Sequence, residues 1–200
     1  MTGLGAATLG ESGGRVMAPR IRAVYPTARL AGPACTVECT PGDNLAVHVA
    51  AATAAPGSVL VVTVGPERER GYWGEVLTTL AETRGIAGLV IDGGVRDVSA
   101  LEAHGFPVFS ALVALRGAAK VAPGRIGAPV SVGDVEVRAG DWVVGDADGV
   151  TVVPEESLAG VVDAARARAA AEQRVFADLR AGHTTVELFG LDPTRVERFD

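Results

Sequence analysis

The sequence predicts an α/β protein, and three observations carry that prediction. Apolar runs of strand length alternate with helix-spaced segments from 32 to 110; short β-branched runs separated by turns follow from 129 to 153; one long amphipathic stretch ends the pattern at 154 to 181. The chain has 200 residues, 48% of them apolar and 21% charged, enough to bury one large core, so it reads as a single domain over 1–200.

Gly32 to Cys39 alternates like a strand, which puts Cys35 and Cys39 on one face. They are the chain's two cysteines, and with no further ligands nearby they read as small core residues in a reducing compartment. Pro41, Gly42 and Asp43 form a turn, with Asp43 placed to cap a helix over Asn44–Ala54 whose apolar positions are Leu45, Val49 and Ala52. Ser58–Val64 is a strand covered on both faces, and Gly65–Tyr72 is a loop. A helix opens at Gly74, with Val76, Leu77 and Leu80 as its apolar positions, and stops at Gly85. Ala87–Asp92 is the next strand, Gly93 and Gly94 form a tight loop, and Asp97 is placed to cap a short helix that Gly105 ends before the strand Pro107–Ser110. This order predicts a parallel sheet with right-handed crossovers.

After Leu115, glycine and proline recur and the apolar runs shorten to Pro129–Val132, Val135–Val137, Trp142–Val144 and Val150–Val153. These are β-turn-β units, expected to form a second, more antiparallel layer on the first. Asp146 to Gly149 resembles the start of a calcium loop, but it runs into a strand and reads as a turn. Pro154, Glu155 and Glu156 then open a helix reaching Ala181. At 1.5 Å per residue it is about 40 Å long, against a radius of gyration of roughly 16 Å for a chain of this size. Its stripe of Leu158, Val161, Val162, Ala165, Ala169, Val175, Phe176 and Leu179 continues to the end, so the overhang is expected to pack on a second copy; the alternative is a break near Ala171.

The net charge of −6, with no basic cluster and 4% aromatic residues, argues against a nucleic-acid surface. No apolar run reaches the roughly 18 residues of a membrane span, and residues 1 to 22 lack the basic start and apolar middle of a secretory signal. A cytoplasmic protein is expected.

Chemistry concentrates after the Ala87–Asp92 strand, in Gly93, Gly94, Val95, Arg96 and Asp97, because open parallel sheets bind ligands at the carboxyl ends of their strands. Arg96 is an anion receptor and Asp97 a hard oxygen ligand, although Asp97 as a plain helix cap and Arg96 in a surface ion pair account for the same residues. Glu75 begins the preceding helix, whose first N–H groups suit a carboxylate. A cation shared by Glu75 and Asp97 would reconcile that acidic side chain with a bound anion, while favouring its own helix N-terminus explains Glu75 equally. His48 reads as a partly buried helix histidine rather than a ligand; His104 and His183 sit near helix ends. There is no Gly-x-Gly-x-x-Gly after a strand, no Walker loop and no Gly-x-Ser-x-Gly elbow.

From Arg29 to Glu156 the chain resembles the regulator of ribonuclease activity A-like family, which includes 4-hydroxy-4-methyl-2-oxoglutarate aldolases with oxaloacetate decarboxylase side activity. The likeness rests on Ala31-Gly32-Pro33-Ala34, Gly42-Asp43-Asn44, Gly74-Glu75-Val76-Leu77, Gly85-Ile86-Ala87-Gly88, Asp92-Gly93-Gly94-Val95-Arg96-Asp97, Gly105-Phe106-Pro107-Val108-Phe109 and Asp146-Ala147-Asp148-Gly149-Val150. The resemblance implies a swivelling β/β/α three-layer domain with a long C-terminal helix, assembled as a homotrimer or hexamer with Mg2+ or Mn2+ in a site between subunits. Its catalytic members have an acidic residue separated from an Arg-Asp pair by 20 residues, a spacing that Glu75, Arg96 and Asp97 satisfy. By this resemblance Asp97 binds the metal directly, Glu75 holds metal-bound water, Arg96 binds the keto acid, and the amides from Gly74 to Val76 and Leu77 take the substrate carboxylate. Glu172 of a neighbouring subunit would contact another metal-bound water. Ala100 stands where the family commonly has glycine.

The implied activity is cleavage of 4-hydroxy-4-methyl-2-oxoglutarate or a related 4-hydroxy-2-oxo acid to pyruvate, with oxaloacetate decarboxylation; the alternative is a non-catalytic regulator acting on a ribonuclease or other protein. Carbon–carbon cleavage beside a ketone leaves a pyruvate enolate, which needs a lysine imine or a Lewis-acid metal. Of 18 basic residues 17 are arginine, and the single lysine, Lys120, lies in the Gly/Pro-rich segment, expected away from the Arg96 loop, so the metal route is favoured.

Overall fold

The structure is a computed structural model that describes residues 3–197 and 199; the extreme ends of the 1–200 span lie outside the described residues. In chain order the elements are α1 (Ala6–Gly10), β1 (Arg15–Val16), β2 (Arg22–Ala23), β3 (Leu30–Cys39), α2 (Leu45–Thr53), β4 (Val59–Thr63), β5 (Gly71–Trp73), α3 (Glu75–Thr83), β6 (Gly88–Val95), α4 (Val98–His104) and β7 (Val108–Val113). They continue as β8 (Gly124–Ile126), β9 (Val130–Val132), β10 (Val135–Val137), β11 (Trp142–Asp146), β12 (Gly149–Val153), α5 (Leu158–Arg180) and α6 (Thr185–Leu188).

β3, β4, β6 and β7 pair in parallel, as the alternating pattern predicts. Both faces of this sheet are covered, because successive residues serve opposite cores. Leu60 and Val62 of β4, with Leu89 and Ile91 of β6, meet the α2–α3–α4 side, whereas Val59, Val61 and Val90 meet the β9–β10 hairpin. A helical layer, the main sheet and a β-hairpin layer result, a three-layer β/β/α arrangement. The antiparallel half differs in part from expectation. β11 and β12 do not leave the parallel sheet but extend it through β3, to which β11 pairs antiparallel, so the separate layer is the β9–β10 ribbon.

Three local expectations change. Gly93 and Gly94 lie inside the fully buried β6 rather than in a loop. A Cβ on Gly93 would stand 2.8 Å from Val64 Cγ2, and one on Gly94 2.5 Å from the Arg70 carbonyl oxygen, so the glycines serve close packing. The supposed loop 65–72 ends in β5, which pairs with β6 and buries Tyr72 and Trp73. α2 buries Ala46, Val47, Ala50 and Ala51 and leaves Val49 exposed, because the small side chains let the helix approach the sheet closely.

α5 is continuous to Arg180, without a break at Ala171. Its first half packs Val161 and Ala165 against Leu9 and Val153. Farther on, Phe176 is exposed, with Phe189 and Leu191 beyond it. Among the described residues no helix is long and apolar enough to cross a membrane.

Candidate active site

The carboxyl ends of β5 and β6 and the amino ends of α3 and α4 converge on a cavity of about 270 Å³. Gly74, Val76, Leu77, Arg96 and Asp97 line it. Asn44, His48 and Lys120 border the same space.

Asp97 stands at the amino end of α4 with φ 60° and ψ 37°, a left-handed conformation that aspartate tolerates better than most residues. Its side chain does not cap α4, as its position in sequence predicts. Oδ2 instead accepts the backbone N–H of Glu75 at 3.1 Å, so Asp97 caps the neighbouring helix α3. Arg96 Nε lies 3.7 Å from the same oxygen, and the Arg96 N–H donates to the Trp73 carbonyl at 2.9 Å, tying β6 to β5 beneath the site. Trp73 is held in turn by its Nε1 donating to Thr78 Oγ1 at 2.8 Å and by stacking on Phe106. At Gly74 a Cβ would meet Asp97 Oδ2 at 2.4 Å, so glycine is what allows the carboxylate to sit over the first turn of α3.

The first turn of α3 carries N–H groups that the helix itself cannot satisfy, since the first i→i−4 bond runs from Thr78 N–H to the Gly74 carbonyl. The N–H groups of Val76 and Leu77 are thus available where those residues border the cavity. Glu75 does not line it in this chain; its carboxylate lies 3.7 Å from His104 Nε2, while Glu82 holds His104 Nδ1 at 2.9 Å.

Lys120 corrects the sequence reading: it borders the same cavity as Arg96 and Asp97. The reason is Asp43, whose Oδ1 accepts from Leu45 N–H at 2.8 Å, capping α2, while Oδ2 accepts from Val121 and Ala122 N–H at 2.7 and 2.9 Å. Gly71 N–H to the Arg116 carbonyl at 2.8 Å secures the other end of that segment, so residues 116–122 are strapped across the cavity. Burial acts to raise the Asp43 pKa, but the three N–H donors and the charge of Lys120 hold it below the ordinary carboxylate range.

Asn44 is buried, and its Nδ2 donates to the Tyr72 carbonyl at 2.8 Å, whereas its Oδ1 has no partner among the described residues. Burial, together with the charge of Lys120, pushes the His48 pKa below the usual histidine value, with Asp43 opposing the shift. Sequence reasoning gave His48 no role and placed Lys120 elsewhere. Spacing carries no signal for either, although Gly42-Asp43-Asn44 marks the turn that brings them in.

The residues present fit a hard divalent cation. Asp97 Oδ1 makes no hydrogen bond to the protein among the described residues, which leaves it as a hard oxygen donor on a residue that lines the cavity. Among the described residues no three His, Cys, Asp or Glu side chains cluster as a metal cage, so within one chain a cation at Asp97 would take most of its ligands from water or substrate. Glu172 lies on α5, paired with Arg168 Nε at 3.0 Å, and does not line this cavity.

Comparison with known proteins adds to this geometry. A family model described as "RraA-like: Aldolase/RraA" matches residues 6–152. A protein of Halalkalibacterium halodurans named "Putative 4-hydroxy-4-methyl-2-oxoglutarate aldolase" is 40% identical over 153 residues, 75% of this chain and 73% of that protein. Among solved structures, an uncharacterized protein from Pseudomonas syringae pv. tomato superposes with a TM-score of 0.82 at 29% identity, covering 91% of this chain and 87% of the other. The RNA-processing inhibitor RraA from Thermus thermophilis superposes with a TM-score of 0.69 at 27% identity, covering 75% and 92%.

Proposed function

The chain belongs to the RraA-like family, and from that membership and the cavity we propose that it is a divalent-metal-dependent lyase. Its reaction is cleavage of 4-hydroxy-4-methyl-2-oxoglutarate or a related 4-hydroxy-2-oxo acid to pyruvate, with oxaloacetate decarboxylation through the same enolate. The observation that carries the reading is the Asp97 carboxylate fastened to the start of α3 beside Arg96, with Lys120 in the same cavity. A non-catalytic scaffold has no need of that convergence.

Asp97 is the direct ligand of Mg2+ or Mn2+, and Glu75, with Glu172 from a neighbouring subunit, acts through water. The cation supplies Lewis-acid stabilisation of the developing enolate oxygen. Arg96 orients the pyruvyl end and adds positive charge where negative charge develops. The Val76 and Leu77 N–H groups receive the substrate carboxylate at the positive end of α3. Lys120 serves as a second anion receptor in the same cavity.

Exposed Val76, Leu115 and Val121 near the mouth, and Phe176 and Phe189 at the far end of α5, favour assembly as a homotrimer or hexamer that covers them. A likeness to an RNA-processing inhibitor keeps a second reading, regulation of a ribonuclease, in view. Incubation of the purified chain with oxaloacetate or 4-hydroxy-4-methyl-2-oxoglutarate and Mg2+, followed by chelation, separates the two. Pyruvate release that chelator abolishes supports the lyase; no release with any divalent metal favours the regulator.

A further inference from the structure

We propose that His48 is a catalytic residue, the group that takes the C4 hydroxyl proton of a 4-hydroxy-2-oxo acid and returns it to C3 of the enolate. The inference rests on the lyase reading and deepens it. Arg96, Asp97 and the first turn of α3 gather positive and hydrogen-bonding groups for the pyruvyl half of a substrate, but none of them is a base suited to a hydroxyl proton. His48 borders the same cavity from α2, one helical turn after Asn44, in the wall that also holds Lys120. A keto acid whose pyruvyl end lies against Arg96 would occupy the cavity that His48 also lines.

The surroundings favour a neutral, proton-accepting imidazole. Burial and the charge of Lys120 disfavour a positive imidazole, and Arg96 adds another cation to the cavity, while Asp43 acts in the opposite sense and Asp97 lines the same cavity. The Asp43 carboxylate is committed to the N–H groups of Leu45, Val121 and Ala122, which leaves the imidazole available to a substrate. A neutral imidazole near neutral pH is the usual requirement for a general base.

The step balances without a further reagent. A ring nitrogen of His48 accepts the O4 proton, O4 becomes the carbonyl oxygen of the departing product, and the C3–C4 bond breaks. Its electron pair becomes the C2–C3 double bond of the pyruvate enolate, whose negative charge rests on the C2 oxygen. The imidazolium then donates the same proton to C3, which completes the methyl group of pyruvate. Oxaloacetate breaks its bond by losing carbon dioxide and has no O4 proton to remove, so the two reactions depend on His48 to different degrees.

The test compares wild type, His48→Gln and His48→Ala, with melting curves to establish folding. Each is given a 4-hydroxy-2-oxo acid and oxaloacetate, and exchange of the pyruvate methyl protons in D2O is followed by proton NMR. Both variants should lose about 100-fold in kcat on the hydroxy acid with KM little changed, and methyl exchange should fall with it. The ratio of hydroxy-acid cleavage to decarboxylation should drop at least about tenfold, and the acid limb of the wild-type pH–rate profile should vanish from the residual activity. His48→Gln cleaving the hydroxy acid at the wild-type rate overturns the assignment, as does an equal loss in both reactions, which marks a structural residue. A wild-type chain that releases pyruvate from neither substrate defeats the lyase reading itself, and is recognised before any variant is made.

Discussion

The carboxylate of Asp97 accepts the backbone N–H of Glu75 at 3.1 Å, across 22 positions of sequence. One hydrogen bond thus locks the start of α4 to the start of α3 and leaves the other carboxylate oxygen without a protein partner among the described residues. Asp97→Asn keeps an acceptor for the Glu75 N–H and removes the charge. It should leave the melting temperature nearly unchanged and weaken Mn2+ uptake, followed by electron paramagnetic resonance, by at least about tenfold, with pyruvate formation lost in parallel. Wild-type turnover in this variant would refute the metal assignment.

Gly74→Ala tests the same contact from the other side. Its backbone is extended, which any residue adopts, so the effect is steric: the methyl would stand 2.4 Å from Asp97 Oδ2 and 3.1 Å from Arg96 Cγ. The expected outcome is a folded protein whose kcat/KM falls at least about tenfold, measured by pyruvate release, because a displacement of about 1 Å at a reacting group costs roughly that much or more.

The position of Lys120 reopens a route that its place in sequence disfavoured, since an imine with a keto acid needs a lysine in the cavity. The metal reading predicts that borohydride added with pyruvate leaves the intact mass of the chain unchanged. Lys120→Met should raise KM about tenfold while kcat changes less, the signature of a group that binds ground and transition states alike. A reduced pyruvyl adduct on Lys120 would replace the metal mechanism with an imine.

Away from the cavity, buried Asp92 receives Arg20 and Arg68 and the Gly133 N–H, which joins β6 to the N-terminal segment and the β9–β10 turn. Burial alone would raise its pKa, but Arg20, Gly133 and Arg68 hold it below the ordinary carboxylate range. A carboxylate depressed in the folded state contributes stability that is present above its unfolded pKa of about 3.9 and is lost as pH falls through the lower folded value. Asp92→Ala should cost about 1.5–3 kcal/mol at neutral pH in a urea melt, because the buried Gly133 N–H loses its acceptor and Arg68 its partner while Arg20 keeps Asp134, and the gap from wild type should narrow below about pH 4.

Gly93→Ala probes the strand assignment. A methyl 2.8 Å from Val64 Cγ2 overpacks a closed core, with an expected loss of about 1–3 kcal/mol; a glycine in an open loop would show almost none.

Much of the fold was legible because short-range signals agreed. Alternation marked β3, a β-branched run bounded by Pro and Gly marked β4, a strand-length apolar run marked β6, and the Gly85 and Gly105 stops marked the ends of α3 and α4. The glycine pair misled, because a glycine needed for close backbone approach and one needed for a turn look the same in one dimension. The antiparallel half misled for a related reason: turns identify hairpins, but whether a hairpin joins an existing sheet edge or covers its face depends on distant partners such as β3 for β11.

The site divides along the same line. By itself the sequence determined that Glu75, Arg96 and Asp97 occupy helix starts and a strand end, because backbone propensity and capping are local. Tertiary structure alone decided that Asp97 caps α3 instead of its own helix, and that Asp43 draws Lys120 across to Arg96 while His48 faces the same space. Those outcomes follow from hydrogen bonds between segments many residues apart, and a buried donor takes whichever acceptor the packed chain brings to it.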